Sequence, residues 1–110
     1  MKIIPLTQGK ISLVDDEEYE ELSKHKWHVT KSSCNWYARR RDGKGMMYMH
    51  RQIMNCSKGQ EVHHKGFGLV QLEFMLVEDN FILVNNTLNN CRTNLVRCSR
   101  QVNLTYRQYG

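Results

Sequence analysis

The sequence predicts an α+β domain with a strand-rich N-terminal half, and three features support this prediction. Acidic residues follow Asp15 in the pattern of a helix start, with Glu18 three positions later. Short strand-like runs surround the turn dipeptide Asp42-Gly43. An apolar segment at 69–84 is interrupted by a polar triplet at 78–80, which predicts a hairpin. The 110 residues fit one small domain or two very small modules, since domains usually have about 100–200 residues.

The first 24 residues predict a short strand followed by a short helix. Residues 11–14 are apolar enough to form the strand. Asp15 offers an N-cap, and the helix is expected over about 16–24. Because it is acidic and carries no other reactive groups, we interpret this helix as a brace for the core.

The middle of the chain predicts an antiparallel three-stranded meander from the runs 26–30, 35–41 and 45–49. Side chains alternate between the faces of a strand, so the second run has two different faces. Arginines interleaved with aromatic residues suit contacts with phosphates and bases. The alternative is an ordinary sheet with arginines lying over its surface. One face carries Trp36, Ala38 and Arg40, and the other carries Tyr37, Arg39 and Arg41.

The second half begins with a brief helix at 50–55 and an extended segment at 60–65 that delivers two adjacent histidines. The apolar hairpin at 69–84 follows, and a helix over 69–77 is its alternative. An exposed hairpin of this kind would pair at its edges, so we expect the core or a second copy of the chain to cover it. A homodimer through residues 69–84 is therefore one predicted assembly.

The last segment predicts a short helix from Asn89 or Asn90 to Leu95. It either continues as one helix to Val102 or breaks at 96–98 and restarts with Ser99 as N-cap, and the break is preferred. In both versions the asparagines at 90 and 94 share a face, because residues four apart are neighbours on a helix.

Charge is arranged in blocks along the chain. Residues 1–24 carry three bases and six acids, 25–60 carry eight and one, 61–90 carry one and four, and 91–110 carry four and none. The block charges of −3, +7, −3 and +4 give the net charge of +5. Positive charge on both sides of the histidine pair favours a polyanionic partner such as double-stranded DNA. The alternative is that these charges lie on ordinary solvent-exposed faces and bind no polyanion.

Several protein classes fit the sequence poorly. The four cysteines contain no C-x-x-C pair, so a four-cysteine zinc ribbon is not supported. The apolar stretch at 67–84 contains acidic residues and is not a transmembrane helix, and no membrane partner is expected. The N-terminus has no apolar core before a cleavage site, so a cytoplasmic location with reduced thiols is expected.

The histidine pair and the two asparagines at 90 and 94 suggest a metal-assisted hydrolytic site. A histidine that does not hold the metal can take a proton from water, while a divalent ion polarises a phosphoryl oxygen. His64 fits the base, and His63 with Asn94 fits the two protein ligands. Adjacent strand residues point to opposite faces, so these histidines can share a site only at an irregular strand end. Lys65-Gly66 would permit one.

Two runs of the chain resemble the two halves of the HNH, or ββα-metal, nuclease motif of phage and intron homing endonucleases. These runs are Val62-His63-His64-Lys65 and Leu88-Asn89-Asn90-Cys91-Arg92-Thr93-Asn94-Leu95. Three upstream segments also resemble the N-terminal part of those proteins. They are the opening Met1 to Gly9, Tyr37-Ala38-Arg39-Arg40 and the run from Tyr48 to Met54, and Trp27 also fits this pattern. The resemblance implies a bacterial or phage-infected host cell.

The resemblance implies a fold, a site and two parts of the chain. Residues 1–59 would be a strand-rich DNA-binding part, and 60–110 a ββα-metal motif with an insertion at about 67–86. His64 would be the general base, Asn90 would brace the loop, and Asn94 would bind one divalent ion. Mg²⁺ or Mn²⁺ is the expected ion. Proposed phosphate contacts are Arg39, Arg40, Arg41, Arg97 and Arg100.

The chain departs from the family pattern at three places. His63 stands where the family often has aspartate, which makes Zn²⁺ or Ni²⁺ possible ions as well. Cys91 stands where the family has an arginine after the middle asparagine. Twenty-five residues, 65 to 89, separate the base from the middle asparagine, whereas the family has a short polar loop. Loop closure cost grows only logarithmically with length, so a hairpin could close this insertion.

Three hypotheses follow from the sequence. The first is a metal-dependent DNA endonuclease that hydrolyses phosphodiester bonds. The second is a DNA-binding module that keeps an HNH-like scaffold without cleavage. The third is a small oligomeric protein whose hairpin mediates assembly and whose basic charge is incidental.

Overall fold

The chain folds mostly into β-strands, as seen in a computed structural model that describes residues 1–32, 35–43, 45–56, 59–66 and 72–99. Nine strands form four small antiparallel sheets in these ranges, with two short α-helices and two 3-10 turns. The strands are β1 Lys2–Pro5, β2 Ile11–Val14, β3 His28–Ser32, β4 Asn35–Asp42, β5 Gly45–Tyr48, β6 Gln60–His64, β7 Leu72–Val77, β8 Asn80–Asn85 and β9 Leu95–Ser99. The helices are α1 Asp16–Leu22 and α2 Met49–Ile53, and the 3-10 turns are Asn86–Leu88 and Arg92–Asn94.

The predicted α+β fold with a ββα-metal motif is wrong. The helix expected from Asn89 or Asn90 to Leu95 is replaced by the turn Arg92–Asn94, after which β9 begins and pairs antiparallel with β6. The described ranges contain no ββα-metal arrangement. The single-helix version is excluded by β9, and a helix after Ser99 lies outside the described residues.

Asparagine side chains explain why this segment is not helical. The Asn89 Oδ1 accepts a hydrogen bond from the backbone N–H of Cys91, and the Asn94 Nδ2 donates to the carbonyl of Asn89. Such local bonds offer the backbone an alternative to the helical ladder. The spacing of the asparagines predicts a shared helix face, but it does not report the hydrogen bonds that their side chains make to the backbone.

The N-terminal elements form a hairpin and a helix beside it. β1, which the sequence did not indicate as a separate strand, pairs with β2 in register from Lys2↔Val14 to Pro5↔Ile11. The helix α1 begins after Asp15, as expected, and ends at Leu22, two residues before the predicted end. The Asp15 side chain does not cap this helix; it accepts a hydrogen bond from the backbone N–H of Arg92 at 2.8 Å.

The meander of β3, β4 and β5 forms the largest sheet in the described residues. The inner side of β4 holds Ala38, which is buried, and Arg40, whose guanidinium lies 5.5 Å from the centre of the Trp27 ring. The Trp27 Nε1 donates to the carbonyl of Leu22, so the indole joins this sheet to α1. Residue 44, within the predicted turn, lies outside the described part.

β7 and β8 form the predicted apolar hairpin, and the alternative helix is excluded over Leu72–Val77. Residues 69–71 lie outside the described ranges. Glu78 and Asp79 make the two-residue turn, with φ of 49° and 68°. Both values lie in the left-handed region that a type I′ turn requires. Val77 and Val84 are buried on the inner face of the hairpin and attach it to the core.

The hydrophobic core positions the loop around Asn90. Leu13 and Val14 of β2 are fully buried beside Leu88 and Leu95 from the second half of the chain. The backbone of Asn90 donates to the carbonyl of Leu13 at 2.8 Å, and residues 13 and 89 form a parallel bridge. Within the described ranges, no helix is long and apolar enough to cross a bilayer.

Candidate functional site

His64 ends β6 and lies in the interior of the protein. Its side chain is 2% exposed. In the ladder between β6 and β9 it is opposite Leu95, and His63 is opposite Val96. The pairing is regular at both positions, so the ladder itself directs the two imidazoles to opposite faces.

A chain of hydrogen bonds fixes the orientation of the His64 ring. The Ser12 Oγ donates to the carbonyl of Leu88 at 2.8 Å, so its oxygen accepts the bond from Asn90 Nδ2 at 3.0 Å. The amide oxygen of Asn90 therefore faces His64, and the Oδ1–Nε2 distance is 2.7 Å. An amide oxygen can only accept, so the proton is on Nε2. The lone pair of neutral His64 is then on Nδ1.

This tautomer is the one a general base needs. A base whose other ring nitrogen is held by a hydrogen-bond acceptor presents a lone pair in a fixed direction. Burial lowers the pKa of His64 to about 4, and the hydrogen bond to Asn90 opposes this effect. His64 is therefore neutral throughout the ordinary range of pH, with its Nδ1 lone pair unprotonated.

Two aromatic rings contact His64, and a third packs against those two; the sequence predicted a role at this site for none of them. The His50 ring centre lies 4.9 Å from that of His64, and the Tyr37 ring centre lies 6.0 Å away. Tyr48 completes the cluster, 5.6 Å from His50 and 6.3 Å from Tyr37. Burial lowers the pKa of His50 to about 3, so two neutral imidazoles lie side by side. The His50 Nδ1 is buried and has no hydrogen-bond partner among the described residues.

A second polar network lies in the loop between β8 and β9. The Glu73 Oε1 accepts from Asn86 Nδ2 at 3.2 Å and from Asn89 Nδ2 at 3.1 Å. The Asn94 Nδ2 donates to the carbonyls of Asn86 and Asn89, at 3.2 and 2.9 Å. The Asn86 Oδ1 accepts from the backbone N–H of Gly66. The apolar hairpin is thus tied by Glu73 to the loop that carries the asparagines.

The two residues predicted to hold a divalent ion, His63 and Asn94, lie in different surroundings. An amide oxygen carries two lone pairs and can accept a hydrogen bond with one of them. The Asn94 Oδ1 already accepts from Asn86 Nδ2 at 3.3 Å, and its Nδ2 is committed to two carbonyls. His63 is 7% exposed. The described residues contain no group of three or more His, Cys, Asp or Glu placed to hold a metal ion.

The five arginines predicted to contact phosphate have different environments. Arg40 Nε donates to Gln52 Oε1 at 3.0 Å, and its guanidinium packs over Trp27. Arg97 is exposed and donates to the carbonyl of Met54. Arg41 is exposed and Arg39 half-buried, on the β4 face that also carries Tyr37. Arg100 lies outside the described residues.

Sequence reasoning missed Ser12, His50 and Glu73 as members of these networks. Ser12 and Asn90 are 78 residues apart, and no local pattern marks their contact. His50 had one signal, because it lies in the run from Tyr48 to Met54 that resembles the N-terminal part of phage nucleases. No family model, curated protein or solved structure matches the chain.

Proposed function

We propose that the protein binds double-stranded DNA and hydrolyses its phosphodiester bonds, with His64 as the general base. The observation that carries this proposal is the hydrogen-bond chain from Leu88 through Ser12 and Asn90 to His64. It holds a neutral imidazole in one tautomer, which is what proton abstraction from water requires. Asn90 acts on the reaction through His64 and is a positioning residue.

The β4 face beside His64 supports DNA as the substrate. Tyr37 contacts the His64 ring, and Arg39 and Arg41 follow it at alternate positions on the same face. Arginines at this spacing suit successive phosphates, and an exposed guanidinium binds a phosphate through two parallel hydrogen bonds. Phosphates bound there would lie close to the base. Arg40, on the other face, is assigned to stabilising the fold through Trp27 and Gln52.

The proposed reaction uses the lone pair on His64 Nδ1. A water molecule loses a proton to this nitrogen as its oxygen attacks phosphorus, and the bond from phosphorus to the leaving sugar oxygen breaks. The leaving oxygen takes a proton from solvent. Arg39 and Arg41 neutralise charge on the phosphate oxygens. Because the pKa of His64 is about 4, cleavage should be nearly independent of pH between about 5.5 and 8.

A second candidate is DNA binding without cleavage, and the burial of His64 favours it. At 2% exposure, the imidazole is screened from solvent. A nucleophilic water would have to reach a ring enclosed by Tyr37, His50 and Asn90. In this candidate the hydrogen-bond chain stabilises the core. The β4 face that carries Arg39 and Arg41, called the arginine face, provides the function alone.

The test is nicking of supercoiled plasmid by the full chain. The assay is run with Mg²⁺, Mn²⁺, Zn²⁺ or Ni²⁺ and with a chelator, so that any cation requirement is measured directly. The active variant control is His25→Ala, because His25 contacts Trp27 and belongs to neither network. The test variant is His64→Gln, whose amide N–H can still donate to Asn90 while providing no base. Circular dichroism checks that each variant is folded.

Loss of nicking in His64→Gln, with His25→Ala active, would support hydrolysis. Equal nicking by His64→Gln would reject His64 as the base. If the wild-type chain cuts under no condition but retains duplex DNA, the second candidate is the function. The affinity for DNA should then fall steeply with salt. Arg41→Ala should reduce the slope of log affinity against log salt concentration by about one.

A further inference from the structure

The outer face of the β7–β8 hairpin is an exposed apolar surface. Alternate residues of both strands point outward, and their side chains are large. Their exposed fractions are 52% for Leu72, 70% for Phe74, 53% for Leu76, 75% for Phe81 and 52% for Leu83. These five residues together form the outer face. A single exposed leucine is ordinary in a protein surface, but a contiguous group of this kind marks an interaction site.

The outer face has the size of the centre of a protein interface. A phenylalanine carries about 150–250 Å² of surface and a leucine somewhat less, so five such residues that are half to three quarters exposed leave on the order of 500 Å². A stable interface buries about 800 Å² on each partner, of which about 65% is apolar at a homodimer interface. The apolar part of such an interface is therefore on the order of 500 Å² on each partner, which is close to the exposed area of the outer face.

The four central side chains of the outer face alternate between phenylalanine and leucine, both along each strand and across the pair of strands. Leu76 is opposite Phe81 in the hairpin ladder, and Phe74 is opposite Leu83. Along each strand a phenylalanine is also followed or preceded by a leucine on the same face. The pattern is that of a two-by-two chequerboard.

A chequerboard of this kind is complementary to itself. A twofold axis lying in the plane of contact, either along or across the strands, places each phenylalanine of one copy over a leucine of the other. Large residues facing smaller ones allow two layers to interdigitate without voids. Most soluble homo-oligomers are twofold dimers whose interface uses the same patch on both subunits.

Charge argues against the polyanionic partners that could otherwise occupy the outer face. Its five residues are uncharged, and the turn beside it carries Glu78 and Asp79, both exposed. Glu78 pairs with Lys2 at 3.7 Å, and Asp79 leaves this turn with a net negative charge that would repel DNA phosphates and anionic lipid headgroups. The acidic turn and the basic β4 face therefore belong to different binding events.

We infer that the outer face is the contact between two copies of this chain, packed sheet on sheet around a twofold axis. Two sheets that pack face to face in this way keep their strands within about 30° of each other. This inference is independent of the proposed hydrolysis, because it uses no residue of the His64 network or of the arginine face.

The first measurement is the mass of the full chain in solution by sedimentation equilibrium, in reducing buffer. The expected mass is twice the 13.1 kDa of one chain. Phe74→Asp should raise the dissociation constant of the dimer at least about 100-fold. Met46→Asp is the matched control, since Met46 is 47% exposed on β5, outside the hairpin. This control should leave the mass unchanged.

Mixing two variants of opposite charge should restore association, and a general loss of folding could not produce this result. Leu76→Asp and Phe81→Lys should each be monomeric and should associate when mixed if the axis lies along the strands. Leu76→Asp and Phe74→Lys should associate when mixed if the axis lies across them. A monomeric wild-type chain would overturn the inference, whether or not it binds neutral lipid vesicles. A Phe74→Asp chain that dimerises like wild type would overturn it too.

Discussion

Asn90 and Asn94 lie four residues apart, yet they belong to two polar networks with different chemical character. Asn90 is fully buried and joins a linear chain that ends at a titratable ring. Asn94 is half-buried and joins a branched network of amides, carbonyls and one carboxylate, Glu73. The first network depends on the protonation state of His64, and the second depends on close packing around Asn86. The difference shows that residue type alone does not assign a role to an asparagine.

Acidification should distinguish the two networks most strongly. Burial lowers the pKa of His64 to about 4 and that of His50 to about 3, below their ordinary value near 6.5. The unfolded chain therefore binds protons that the folded chain does not. Stability is fully present above about pH 6.5 and is lost as the pH falls towards 4. The loss at pH 4 should be about 3 kcal/mol from His64, since one pKa unit corresponds to about 1.4 kcal/mol.

Urea unfolding between pH 4 and 8, at one protein concentration, measures this effect. His64→Gln should show a shallower dependence on pH, because one of the two depressed imidazoles is gone. His25→Gln should keep the slope of the wild type. A free energy of unfolding that stays constant between pH 6.5 and 4 would contradict the buried, neutral state of both rings.

The next largest effect is expected from Asn90→Ala. The substitution removes the acceptor of the His64 Nε2 proton and the donor to Ser12, inside the core. A buried group left without its partner costs about 1–3 kcal/mol, so the free energy of unfolding should fall by about 2–3 kcal/mol. Asn94→Ala, at a half-buried position, should cost less. Equal free energies of unfolding for the two variants in urea at pH 7.5 would contradict the expected difference between the two networks.

Local signals in the sequence were sufficient for some elements of the fold. The Asp42-Gly43 dipeptide and the polar triplet at 78–80 mark turns, and both turns join antiparallel strands. The predicted helix at Asn90 failed because asparagine side chains bind nearby backbone groups, a competition that hydrophobic spacing does not report.

The site was less predictable than the turns. The resemblance suggested that His64 and Asn90 belong together, and the structure brings them within 2.7 Å. It did not indicate Ser12 or Glu73, because their contacts join segments distant in sequence. Contacts of this kind are set by how sheets pack, and no pattern within one segment specifies them.

The smallest effect tests the second network through Gly66. A Cβ atom at this position would lie 2.5 Å from the side-chain carbon and nitrogen of Asn86, closer than van der Waals contact allows. Gly66→Ala should displace Asn86 and weaken its bonds to Glu73 and Asn94, lowering the free energy of unfolding by about 1–2 kcal/mol. Gly45→Ala is the matched control, because a Cβ there meets no atom within 4 Å. In Gly66→Ala the dependence of stability on pH should remain that of the wild type, since both imidazoles keep their surroundings. A changed slope would mean that the two networks are coupled through β6, and that His64 senses the packing of the hairpin.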